Sequence, residues 1–324
     1  MSSSLNQLYR MVGLSKQAVA QYGQRQAIFW QEVASLEVLI QQIRKVHGGC
    51  GLEKLYYRLR PRSMGRDRFI SIFRGLGYGL KKRPYQPKTT IKGRFVYPNL
   101  IAGMAVLGPN QVWQTDLTYQ WVGQRYYYLI FIIDIYTKRV LGYGAFDHMR
   151  VEANVEVLQM ALAAWPKEAL VGLIHHSDRG SQYIAKAYTQ RLQKAQIHIS
   201  MGLTGRENAY AERINGIIKN EYLAYKQLAS FKALKRELRI AVKDYNAARP
   251  HQHLGRMTPL AFEKAYRQQK LKQIPISLIP AKEGPDFRLR KKKVFQGDMQ
   301  NSKAFCPMKN NHQFYQKRST LFRD

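Results

Sequence analysis

Residues 112–121 alternate with a period of two. Trp113, Thr115, Leu117, Tyr119 and Trp121 fall on one side, and Val112, Gln114, Asp116, Thr118 and Gln120 on the other. The pattern predicts a strand whose bulky side is core and whose polar side carries Asp116. Val122-Gly123-Gln124-Arg125 predicts a hairpin turn, Tyr126 to Tyr136 a nearly continuous apolar strand, and Val140 to Phe146 a third strand. Val151, Val155, Leu158 and Leu162 form the apolar stripe of a helix. Residues 170–176 then predict a buried strand that runs into the polar turn Ser177-Asp178-Arg179-Gly180. A helix over Tyr183–Ala195, a short strand at Ile197 and Ile199, and a long helix from about Glu207 follow.

The order β-β-β-α-β-α-β predicts an α/β fold, a mixed sheet flanked by helices over residues 108–270. Ribonuclease-H-like folds share this order. Helical patterns precede it. Leu5, Leu8, Tyr9 and Val12 repeat at helical spacing, Gly13-Leu14-Ser15 turns, and Ser15 is placed to cap a helix from Lys16 to Tyr22. This outlines a helix-turn-helix within residues 1–47, with a plain helical hairpin as the alternative. A longer helix is expected from Gln31 to His47, ended by Gly48-Gly49. Helices at Leu52–Leu59 and Gly65–Arg74 outline a small helical DNA-binding module over residues 48–80, with a basic helical arm that only packs on the core as the alternative. Residues 81–107 open polar, basic and proline-containing, which suits a linker. Residues 271–324 form a basic extension without strong periodicity, with aromatic residues interleaved among its cations.

Charge sharpens this division. The net charge is +32 over 324 residues. Residues 1–110 carry 18 Lys/Arg against 4 acids, residues 111–222 carry 12 against 10, and residues 223–324 carry 23 against 7. Two basic flanks suit a phosphate backbone, and a near-neutral centre suits a site built from carboxylates. Lys81, Lys82, Arg83, Arg290, Lys291, Lys292 and Lys293 are candidate DNA contacts in those flanks. Cys50 and Cys306 stand far apart and without close Cys partners, which argues against a disulfide framework or a structural zinc finger and fits a reducing cytoplasm. The start Met1-Ser2-Ser3-Ser4 has no apolar signal core. The apolar run from Tyr126 to Tyr136 is too short to span a bilayer and contains Asp134.

Three acids are candidates for shared chemistry. A carboxylate on the polar side of a strand, Asp116, would be costly if buried without a partner. Asp178 stands at the tip of a strand that ends at the carboxyl edge of the sheet, where α/β proteins place their sites. Glu212 lies on the following helix. Hard divalent cations prefer oxygen ligands. Two such ions, about 3.5–4 Å apart, clamp the attacking and leaving oxygens of a phosphoryl displacement. The plain alternatives are an arginine pair for Asp116, an Asx turn before Gly180 for Asp178, and a solvated helix position for Glu212. Spacing alone does not prefer Glu212 over Glu207 or Glu221. Asn208 and Lys219, four residues before and seven after Glu212, share its side of the helix, so Lys219 is placed to touch DNA. Asp134 is expected to be a supporting acid, and His175 and His176 to shape the turn rather than hold Mg²⁺.

Trp113-Gln114-Thr115-Asp116-Leu117-Thr118-Tyr119, His176-Ser177-Asp178-Arg179-Gly180-Ser181-Gln182-Tyr183 and Glu207-Asn208-Ala209-Tyr210-Ala211-Glu212 resemble the catalytic core of DDE transposases. The group is the bacterial insertion-sequence transposases of the retroviral-integrase type, encoded by a second reading frame. Tyr245-Asn246-Ala247-Ala248-Arg249-Pro250-His251 and Thr258-Pro259-Leu260-Ala261-Phe262 resemble it too. The resemblance covers about residues 45 to 265 and selects Glu212 as the third acid. The 33 residues between Asp178 and Glu212 are slightly fewer than similar cores carry. It implies an enzyme that binds the inverted repeats of its element, cleaves a strand with two Mg²⁺ ions held by Asp116, Asp178 and Glu212 (Mn²⁺ substituting), and transfers the freed 3′-hydroxyl to target DNA. Arg179 and Arg213 flank those acids and join Asn208 and Lys219 as expected DNA contacts. A homodimer or larger assembly on double-stranded DNA, an upstream reading-frame partner and a nucleoid-associated location are the further expectations. The alternatives are a non-catalytic DNA-binding repressor and a nuclease of the same fold that never joins.

Overall fold

The computed structural model describes residue 9 and residues 11–80, 97–202, 205–271 and 276–279. Lys81, Lys82, Arg83, Arg290, Lys291, Lys292 and Lys293 lie outside them, as does nearly all of the basic extension. All described residues belong to the unit Met1–Ala281.

The first part is helical: α1 (Lys16–Val46), α2 (Leu52–Leu59) and α3 (Arg66–Gly75). Ser15 caps α1 as expected, its Oγ accepting from the Ala18 N–H at 3.0 Å. The expected break after Tyr22 does not occur, and α1 runs unbroken for 31 residues. No proline interrupts it, and the lone Gly23 costs only about 1 kcal/mol. Val33, Leu36 and Ile40 of α1 pack with Leu52 and Leu55 of α2, Met64, and Phe69 and Phe73 of α3. One apolar cluster therefore draws on both sides of residue 47.

The sheet follows. A two-residue pair joins β1 (Ala105–Val106) to β7 (Ser277–Leu278). The main sheet comprises β2 (Val112–Val122), β3 (Arg125–Asp134), β4 (Val140–Phe146), β5 (Ile174–Ser177) and β6 (His198–Met201), in the spatial order β4-β3-β2-β5-β6. The first three strands meander antiparallel, and β5 and β6 add in parallel beside β2. This is the ribonuclease-H-like arrangement. Helices α4 (Val151–Ala163), α5 (Ser181–Ile184) and α6 (Lys186–Lys194) cover one face, packing Val157, Leu158, Tyr183, Tyr188 and Leu192 on Trp113, Ile130 and Ile132. Helix α7 (Ala209–Ile217), a π-helical turn (Ile218–Tyr222) and α8 (Phe231–Ala247) cover the other, over Leu129, Phe131 and Ile133. Helix α9 (Pro259–Arg267) closes one end with Tyr136 and Phe262. Among the described residues no helix is long and apolar enough to cross a membrane.

Three local expectations are corrected. The strand into Asp178 begins at Ile174, not Leu170, because residues 167–170 form a 3₁₀ turn and Gly172 adopts φ +78°. The helix expected over 183–195 is two, parted at Ala185. The bulky side of β2 is core only through its first half. Trp121 is 52% exposed and Tyr119 is exposed beside it, because neither joins the cluster that α4–α6 bury on that face of the sheet. There the rings cover one another instead, Trp121 edge-on to Tyr126 at 4.6 Å and Tyr119 edge-on to Tyr128 at 5.4 Å.

Polar contacts join the helical part to the core. Arg58 grips Asp244 with both guanidinium nitrogens (3.2 and 3.0 Å), and Arg256 binds Glu53 at 2.6 Å. His47, Lys54 and Arg249 converge on Glu221. Burial works against the Glu221 charge, but the bonds from His47 and Arg249 and the charge of Lys54 outweigh it and hold the carboxyl well below its usual range. A carboxyl depressed in the fold contributes stability that is present above its unfolded value and lost as pH falls through the folded one. Glu221→Gln is therefore expected to lower the thermal midpoint at neutral pH. The gap to wild type should begin to narrow as the pH drops below about 4, which thermal scans from pH 7 to pH 3 check.

Candidate active site

Helix α7 lies along β2, fixed by side-chain bonds at regular intervals. Gln114 Oε1 accepts from the N–H groups of Tyr210 (3.1 Å) and Ala211 (3.2 Å), and its Nε2 donates to the Glu207 carbonyl at 3.0 Å. Two residues further along the strand, Asp116 Oδ2 accepts from Asn215 Nδ2 at 2.7 Å. After two more, Thr118 Oγ1 accepts from Lys219 Nζ at 3.4 Å. Two strand residues advance about 6.8 Å and four helix residues about 6.0 Å, so each polar position of β2 meets every fourth residue of the helix. The alternation seen in the sequence thus sets the helix's phase. Gln114 also satisfies N–H groups at the start of α7 that have no partner within the helix.

The second acid comes from the neighbouring strand. In the parallel pairing of β2 with β5, Gln114 stands opposite His176. β5 ends at Ser177, and Asp178 opens the turn that follows, two residues beyond the Gln114–His176 pair as Asp116 is on β2. Asp178 Oδ1 accepts from the Gly180 N–H at 3.0 Å, so the residue does close the Asx turn that spacing allowed. Burial raises the Asp178 carboxyl, and the charge of Glu212 raises it further against the Gly180 bond. Glu212, half-buried on α7 between the positions bonded to Gln114 and Asp116, is thus within electrostatic reach of Asp178. The hydroxyl of buried Tyr183 is held protonated by burial and then by the charges of Asp178 and Asp116. The charges of all three acids therefore bear on one edge of the sheet.

An all-oxygen set of two aspartates and a glutamate suits a hard divalent cation. The mutual repulsion already felt by Asp178 is the electrostatic condition that such an ion relieves. The acids are not drawn into a cage, however. Among the described residues no group of three or more His, Cys, Asp or Glu is gathered closely enough to hold an ion, and Asp116 is engaged by Asn215.

The other expected site residues divide. Lys219 is half-buried beside Thr118, and burial lowers its pKa. Arg213 is exposed next to Glu212, and Arg179 is half-buried next to Asp178. Asn208 is corrected: it is only 2% exposed and donates from Nδ2 to the Thr115 carbonyl at 2.8 Å, so it anchors the approach to α7 instead of facing DNA. Asp134 ends β3 rather than sitting mid-strand. Wholly buried, it accepts from the N–H groups of Asn110, Tyr136 and Thr137 at 2.6–2.9 Å and from the Thr137 hydroxyl, a structural task. His175 and His176 are buried, bonded to Tyr188 and Ser200. Gln114 and Asn215 were not foreseen. Gln114 shares the polar side of β2 with Asp116, and that was its one signal.

Comparison with known proteins gives matches across the same residues. The family described as Integrase core domain matches residues 107–207, and a second profile with that description matches residues 193–259. The insertion element IS600 uncharacterized 31 kDa protein of Shigella sonnei is 34% identical over 245 residues, covering 73% of this chain and 89% of that protein. The transposase for insertion sequence element IS629 of Shigella sonnei is 36% identical over 160 residues, 49% of this chain and 53% of that protein. Among solved structures, the HTLV-2 integrase catalytic core domain in complex with magnesium is 19% identical, covering 48% of this chain and 97% of that one with a TM-score of 0.39.

Proposed function

Because the chain belongs to the integrase-core family of insertion-element transposases, we propose that it cuts and joins DNA at the end of the sheet on which the charges of Asp116, Asp178 and Glu212 bear. The observations that support this reading are the pairing of β2 with β5, Gln114 opposite His176, which brings the residues that follow on each strand to one end of the sheet, and the charge of Glu212 acting on Asp178. Water attacks a phosphodiester at the element's end, the 3′-oxygen leaves as a hydroxyl, and the 5′ side keeps the phosphate. The freed 3′-hydroxyl then attacks a phosphodiester of target DNA, exchanging one ester for another. Asp116, Asp178 and Glu212 would hold divalent magnesium, and Mn²⁺ would substitute for it. When bound, the metal supplies charge stabilisation to the attacking and leaving oxygens. Asp116 would exchange the Asn215 bond for the ion. Lys219 and Arg213, on the same helix as Glu212, hold the backbone phosphates, with Arg179 beside Asp178.

The helices up to residue 80 bind the inverted-repeat ends as one module, residues 108–270 carry the chemistry, and the basic segments 81–107 and 271–324 add phosphate contacts. Work on two ends at once calls for a dimer or larger assembly. The deciding experiment is Mg²⁺-dependent nicking and joining of DNA taken from either side of the gene. Wild type is expected to give joined strands, and Glu212→Gln to keep DNA affinity without cutting. Nicks that never become joined strands would make the protein a nuclease, and tight binding with no cutting by wild type would make it a repressor.

A further inference from the structure

The turn His47-Gly48-Gly49 lies against the π-helical turn that continues α7. The Gly49 N–H donates to the Glu221 carbonyl at 2.7 Å. A Cβ on Gly49 would stand 2.7 Å from Glu221 Cα, and one on Gly48 would stand 2.3 Å from Tyr225 Cβ, so the approach demands glycine at both positions. The His47 ring stacks on Tyr222 with centroids 4.1 Å apart and planes 10° apart, and its Nε2 lies 2.9 Å from Glu221 Oε2. Lys54 Nζ reaches Glu221 Oε1 at 2.9 Å from the same side. Arg249 meets both carboxylate oxygens at 2.9 Å from the core. Glu221 is thus held between the helical part and the core.

Its place in the sequence makes the grip consequential. Glu221 lies two residues past Lys219 and nine past Glu212 on one continuous helical run, α7 and the π turn. That run is fixed to the sheet by Gln114 at its beginning and to the helical part by His47, Gly49 and Lys54 at its end. A π turn costs hydrogen-bond geometry and persists where its surroundings hold it. We infer that the helical part completes the site from behind: by holding Glu221 it sets where Glu212 and Lys219 stand, and His47 and Glu221 are positioning residues for the reaction. The inference rests on the reading of the three acids given above. It adds that residues 47–58 serve the chemistry as well as any DNA they bind.

Two full-length variants test it. Gly49→Ala forces the turn away from Glu221, and Glu221→Gln weakens the grip without changing shape. Amide hydrogen exchange is measured without DNA, and cleavage of end DNA is measured separately. Exchange across residues 212–219 is expected to quicken about tenfold or more while β2 and β3 keep wild-type protection. The cleavage kcat should fall about 10- to 100-fold, and KM for end DNA should stay within about twofold. Unchanged exchange at 212–219, with quickening confined to residues 47–60 and 221–225, would overturn the inference, as would a loss carried by KM alone. Should Gly49→Ala fail to fold, Glu221→Gln reads the same quantities. A wild type that cuts nothing would refute the reading of the acids, and the exchange comparison would still decide the joint.

Discussion

Asp178→Asn is expected to bind end DNA as wild type does and to lose cleavage and joining together by about 10²–10³-fold or more. The amide keeps the Asx turn, because its oxygen still accepts from Gly180. It removes the charge that burial and Glu212 make costly. The sign follows. Wild-type Asp178 holds its proton more tightly folded than unfolded, so the metal-free fold loses stability as pH rises through that raised value. Asparagine has no such loss. In a chelator at pH 7 to 8 the variant should melt higher than wild type, and it should gain less from added Mg²⁺. Thermal scans with EDTA and with Mg²⁺, beside the cleavage assay, measure both. A variant that melts lower, with the Mg²⁺ increment intact, would reduce Asp178 to a turn residue.

Asp134→Ala is expected to be the most damaging single change to the fold. Its two oxygens serve three buried backbone N–H groups and one hydroxyl. Alanine would strand all of these where water does not reach. Each orphaned group costs about 1–3 kcal/mol, and about 3–5 kcal/mol together is a realistic loss for a set that shares one acceptor. At about 2–4 °C per kcal/mol for a domain of this size, the midpoint should drop by about 10 °C or more. The loss should be similar with and without Mg²⁺, which separates it from the behaviour expected at Asp178. Urea unfolding followed by far-ultraviolet circular dichroism gives the free energy directly. A loss under 1 kcal/mol would mean that the turn after β3 relaxes to admit water.

Short-range patterning made much of this core readable. The alternation at 112–121 gave β2 and the side on which Asp116 lies, and the apolar run at 140–146 gave β4 residue for residue. What failed depended on partners distant in sequence. Nothing near Trp121 says that it stands outside the cluster that α4–α6 bury. Nothing near Asn208 says that the Thr115 carbonyl, 93 residues away, will take its amide. Glu221 was one of three glutamates that spacing could not separate. Its partners His47 and Lys54 lie 174 and 167 residues away, so its task became visible only in the fold. Residues 16–46 failed for the opposite reason. Local signals there predict a short helix to Tyr22 and a longer one from Gln31, whereas a single uninterrupted helix satisfies the backbone between them as well.

The coupling of β2 to α7 works like a vernier. Each step of two strand residues outruns four helix residues by about 0.8 Å, so the two scales coincide over Gln114, Asp116 and Thr118 and would drift apart beyond them. Length can therefore vary in the loop between β6 and α7 without disturbing the match. A single residue inserted or deleted inside 114–118 or 211–219 breaks the coincidence. Deletion in the helix rotates everything after it by about 100° and carries Asn215 and Lys219 off the strand at once. Across this lineage length variation should collect in the loops, and these two short windows should change only by substitution.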